Sequence, residues 1–222
     1  MSTATLLILL SSAPVLTPGG LPQGWEPLSF PKIEARTLYD WAASSGALHA
    51  FAEKSASGLI ARTAGSAAET PILRWRWKIV KTLAQGDEHQ KSGDDYAARV
   101  YVVFQYEPSQ ARLMTRLKYG LIKRLRGEYP VHSGISYVWA NKLAQGESAP
   151  SPYTRRVMMV AARSGDAGAG EWRSQERNIL EDYRRLFGKE PPPYAGIAIM
   201  TDADDTKDTA EAWYADMSLS AK

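Results

Sequence analysis

The chain has 222 residues, 44% hydrophobic and 23% charged, the composition of an ordinary globular protein. It has no cysteine, which excludes disulfides, thiolate zinc sites and cysteine nucleophiles, and its three histidines leave little room for a histidine-built metal centre. Twenty-seven Lys and Arg against 24 Asp and Glu give +3, too weak a balance for a nucleic-acid partner.

Residues 1–24 read as a signal-like or disordered tail. The apolar run from Ala4 to Leu10, followed by Ser, Ala, Pro and Gly, resembles the apolar and cleavage regions of a secretory signal. It is too short and too broken to span a bilayer. No Lys or Arg precedes Lys32, so the charged start of such a signal is missing. The expectation is a periplasmic or secreted protein with one domain over residues 25–222.

Strand signals follow in order. Residues 48–53 and 58–62 are short candidates. In residues 71–80, Leu73, Trp75, Trp77 and Ile79 alternate with Arg74, Arg76 and Lys78, the period of a half-buried strand. That parity assigns Trp75 and Trp77 to the core. Residues 97–104 put Ala98, Val100, Val102 and Phe104 on one face and Arg99 and Tyr101 on the other. Ser109 is an N-cap for a helix over residues 110–126, with Leu113, Leu117, Leu121 and Leu125 in one stripe. Further strands are expected at residues 135–139, 155–161 and 195–200. A second helix over residues 177–187 stops at Gly188. At the end, Trp213, Ala215, Met217 and Leu219 alternate with Tyr214, Asp216 and Ser218. The pattern predicts a mainly β chain: a single-domain antiparallel β-sandwich, jelly-roll-like, with two short helices in its connections.

No nucleophile elbow, H-E-x-x-H motif, phosphate loop or dinucleotide fingerprint is present. The candidate ligand-binding residues are Asp95, Arg99, Tyr101 and Arg76, which would share one polar face if residues 71–80 and 97–104 lie in one sheet. Guanidinium groups pair with carboxylates, so such a face suits an anionic sugar. The same charges also fit a solvated face with cross-strand pairs. Trp139 and Asn141, at a strand end, are further ligand candidates. Asp202, Asp204 and Asp205 cluster in a way that suits calcium, although the EF-hand spacing fails and an Asx-type turn explains them as well. No other cofactor is indicated. His132, beside Ser133 and Gly134, is the candidate general base, against a purely structural role. The helix from Arg112 to Arg126 carries six basic residues, which suit a membrane surface or a protein partner, or a solvated helix capping the sandwich.

Five blocks, LRWRWKIV, GDDYAARVYVVF, ISYVWAN, RNILEDYRRLFG and GIAIMTDADDT, together resemble the uncharacterised bacterial domain-of-unknown-function family 3047. The resemblance covers nearly everything after the N-terminal tail. It implies a bacterial, exported protein whose family has no assigned activity. The last block and the strand after it are also similar in pattern to carbohydrate-binding jelly rolls. The reading that follows is a non-catalytic glycan-binding sandwich of the cell envelope. Two alternatives stand beside it: a polysaccharide lyase or hydrolase acting on anionic glycans, and a docking module built on the basic helix.

Overall fold

A computed structural model describes residues 20–30, 32–108, 119 and 132–222. The basic helix predicted over residues 110–126 and most of the signal-like tail lie outside the described residues. Twelve strands form two sheets among the described residues. The larger sheet runs β1 (Trp25–Leu28), β4 (Ala56–Arg62), β11 (Tyr194–Asp202), β6 (Arg99–Phe104), β7 (Ser133–Ala140), β9 (Thr154–Ser164), β8 (Ser148–Ser151). The smaller runs β10 (Arg173–Asn178), β5 (Ile72–Ile79), β12 (Thr209–Ser220), β3 (Ala47–Glu53), β2 (Leu38–Ala42). All pairings are antiparallel except β7 with β9. The chain is thus a mainly β, jelly-roll-like sandwich.

The two sheets meet over one core because their strands alternate. Leu73, Trp75, Trp77 and Ile79 of β5 are buried, and Tyr137 and Trp139 of β7 face them from the other sheet. Trp75 lies 5.4 Å from Tyr137 and Trp77 lies 5.7 Å from Trp139, ring centre to ring centre. Ile135, Val100, Val102, Ile197 and Ile199 complete the larger sheet's inner face. Each such side chain contributes roughly 1.5–3 kcal/mol on burial, so these rings and branched chains account for much of the fold's stability.

Helix α1 (Ile179–Phe187) starts later than the sequence pattern predicts, because Arg177 and Asn178 still pair with Leu73 and Ile72 of β5. The Asn178 side chain then accepts the Glu181 backbone N–H, and Gly188 closes the helix at φ 64°. The Asp182 carboxylate is buried under the helix, accepting hydrogen bonds from the Tyr137 hydroxyl, Arg177 and Arg185. Four strands go beyond the sequence reading: β1, β2, β8 and β10. All four are four to six residues long and terminal in their sheets, paired on one side only. Edge strands of that length carry little apolar alternation. None of the described helices is long and apolar enough to cross a membrane.

Candidate functional site

The outer face of the larger sheet carries a dense group of ionisable side chains. Arg99 leaves β6 on the face opposite Val100 and Val102 and is buried, at 6% exposure. Its guanidinium donates to the Asp202 carboxylate at the end of β11, lies 3.7 Å from Asp94 Oδ1, and sits between the Tyr96 and Tyr101 rings at 4.8 and 5.6 Å. Beside this group, Asp95 is fully buried. Its Oδ2 accepts the Thr206 backbone N–H and hydroxyl, and its Oδ1 accepts the Asp205 N–H, tying the β6 approach to the β11–β12 turn. Oxygen atoms of Asp95, Asp204 and Asp205 lie within 4.8 Å of one another. The Tyr153 hydroxyl, from the β8–β9 hairpin, donates to Asp205 Oδ2 at 2.8 Å.

Burial and crowding raise four of these carboxyl groups, Asp94, Asp202, Asp204 and Asp205. Asp94 is pushed up to about 6, chiefly by burial, with Arg99 pulling the other way. Asp204 is pushed up to about 6 by burial and then by repulsion from Asp95 and Asp205. Burial also holds Asp202 well up, although Arg99 opposes it, and raises Asp205. The Tyr101 phenol is raised to about 12, mainly by burial. The arrangement is a set of hard oxygen donors with one guanidinium among them. It suits cations and hydroxyl donors, and its excess of carboxylates disfavours the anionic sugar expected of Arg99.

Several sequence candidates take other places. The shared polar face does not form, because β5 and β6 belong to different sheets. Arg76 therefore lies on the far side of the sandwich from Asp95, Arg99 and Tyr101. Trp139, read as a strand-end ligand residue, is fully buried, and its indole N–H donates to the Gly165 carbonyl at 2.9 Å. Asn141 is a clamp: Oδ1 accepts the Leu83 N–H and Nδ2 donates to the Asp95 carbonyl. The buried carboxylate of Glu88, which sequence reasoning passed over, accepts the N–H groups of Asn141, Lys142 and Leu143 in the same corner. His132 sits at the other end of the β6–β7 ladder, donating its N–H to the Phe104 carbonyl. Five residues separate Phe104 from Arg99, roughly 17 Å along a strand, so His132 and Arg99 do not form one lyase site. Burial lowers the His132 imidazole, with Lys189 adding to the effect. Asp202, expected among three calcium ligands, is engaged by Arg99 instead, and Asp95 stands in its place.

A second feature lies on the outer face of the smaller sheet. Trp213 stacks on His49 with ring centres 4.8 Å apart, and Lys78 Nζ lies 3.9 Å from the Trp213 ring centre. Lys78 is also 5.8 Å from Trp172, whose ring is met by the Arg76 guanidinium at 5.1 Å. Trp172, 37% exposed, precedes β10 and leans over β5. Its neighbours Arg76 and Arg74 pair with Asp216 and Glu176. The sequence pattern placed Trp213 with Met217 and Leu219. In the fold a bulge between Ala215 and Ser218, with Asp216 at φ 54°, reverses the side-chain parity, so Trp213 points out while Met217 and Leu219 pack on the core.

The chain is similar in fold outline to the xyloglucanase domain of NopAA, a type three effector from Sinorhizobium fredii, solved in complex with cellobiose. The identity is 8%, the TM-score is 0.47, and the alignment covers 96% of this chain and 100% of that one. No curated protein matches the chain. The model of a family described as protein of unknown function (DUF3047) matches residues 23–218, a span that contains all five of the blocks quoted above. The chain belongs to the DUF3047 family.

Proposed function

We propose that the protein is an exported, non-catalytic carbohydrate-binding sandwich that lays a neutral glycan across the outer face of its smaller sheet. The observation that carries this reading is the continuous row His49, Trp213, Lys78, Trp172 and Arg76. With strands about 4.8 Å apart, a row crossing β3, β12, β5 and the approach to β10 is about 14 Å long, enough for a short oligosaccharide. The C–H face of a sugar packs on an indole, and its hydroxyls take hydrogen bonds from the flanking charged groups. Arg74 and Arg76 are already matched by Glu176 and Asp216, so the face favours a neutral chain over a polyuronate. The apolar run from Ala4 to Leu10 supports export.

Tryptophan fluorescence titrated with a panel of neutral oligosaccharides and with oligogalacturonate tests the reading. A saturable change is expected with at least one neutral glycan, and its loss in Trp172→Ala with the circular dichroism unchanged. No response to any neutral glycan, or full affinity in Trp172→Ala, overturns it.

A further inference from the structure

We propose that Lys78 sets the specificity of the smaller sheet's outer face, selecting a neutral glycan chain that carries a single uronic acid substituent. The inference rests on the glycan reading and narrows it to a substrate class.

Charge pairing on the face comes first. Arg74 pairs with Glu176, Arg76 with Asp216, and His49 with Glu211. At the end of β5, Lys81 lies 3.8 Å from Asp208. Among the described residues, Lys78 has no carboxylate partner. The face therefore offers one uncommitted positive charge, in the middle of the ring row.

That charge is also held in place. Strand β12 lies between β3 and β5, and Trp213 is the register partner of both His49 and Lys78. The two side chains meet its ring from neighbouring strands on either side, His49 at 4.8 Å and Lys78 Nζ at 3.9 Å. Lys78 Nζ reaches Trp172 as well, at 5.8 Å. An indole attracts an ammonium through its ring quadrupole and carries no net charge, so the two rings position Lys78 without neutralising it. Its N–H donors remain available to a ligand, and less side-chain freedom is left to lose on binding.

The position fits a substituent on a bound sugar. Trp172 is the more exposed of the two indoles, at 37%, and is the ring open to a sugar face. A carboxylate on that sugar or the next falls within reach of Lys78. Further carboxylates along the chain would meet Glu176 and Asp216, whose side chains are 60% and 61% exposed. Like charges across an interface disfavour binding, so one acidic group is accepted and a polyuronate is not.

Neutral oligosaccharides of the fluorescence panel are each titrated beside a counterpart in which one sugar carries a uronic acid group. At low salt, the acidic member of a responding pair is expected to bind about 3-fold more tightly, the size of an exposed charge pair. The gap should narrow at high salt. Lys78→Met, which keeps an apolar stem against Trp213, should bring the two affinities together, whereas Lys78→Arg should keep them apart, with circular dichroism unchanged in both. Equal affinities within the responding pairs, or a preference kept by Lys78→Met, overturn the inference and leave the glycan reading standing. Silence from neutral and acidic members alike overturns both.

Discussion

The Arg99 guanidinium and the Asp202 carboxylate form a buried ion pair between neighbouring strands β6 and β11. Both groups are nearly sealed from solvent, at 6% and 1% exposure. Removing one partner strands the other, which typically costs 3–5 kcal/mol, roughly, when the pair is buried. Arg99→Met should therefore lower stability by about that amount in urea denaturation, and adding Asp202→Asn should restore part of it. Equal stability of Arg99→Met and wild type would refute the pair's structural role.

Asn141 joins the loop before β6 to the end of β7 through two hydrogen bonds. Asn141→Ala should cost about 1–3 kcal/mol, since the Leu83 N–H and Asp95 carbonyl lose their partner. Hydrogen exchange of Leu83 should accelerate more than that of Val100 in the core. Unchanged protection at Leu83 would count against the clamp.

The raised carboxyl of Asp94 sets a pH trend. Its folded value of about 6 lies above the ordinary 3.8, so between those values the folded state binds more protons than the unfolded state. Stability contributed this way is present below pH 4 and is lost as pH rises to about 6. Asp204 acts in the same direction, less strongly because it is partly exposed. In chelator, Asp94→Asn should show a smaller fall in Tm between pH 4.5 and 7 than the wild type. Parallel curves would contradict this.

The two outer faces can be told apart by paired substitutions. Trp172→Ala should remove glycan binding, while Asp204→Asn, on the other outer face, should leave it intact. Tyr101→Phe, on the larger sheet, should leave glycan affinity within about 2-fold, a change under 0.5 kcal/mol. A large loss in Tyr101→Phe would move the glycan to the larger sheet.

Much of the local structure was legible in the residues. Alternation in β5 and β6 identified the buried sides correctly, and Gly188 marked the end of α1. Strand β10, Arg-Ser-Gln-Glu-Arg-Asn, escaped because it is an edge strand with no buried alternation to betray it. Trp213 was grouped with Met217 and Leu219 because a bulge further along β12 changes parity without a sequence marker such as glycine.

Which side of a strand is buried follows from the sequence by itself, since successive side chains point to opposite faces whatever the strand pairs with. Which strands share a sheet does not follow, because pairing is settled by competition among distant segments for one core. Only the tertiary structure put Arg76 and Arg99 on opposite sides of the sandwich. The same long-range pairing brought Asp95 against Asp205 and Thr206, more than a hundred residues away, so that the Asp204 and Asp205 turn found a third carboxylate other than Asp202.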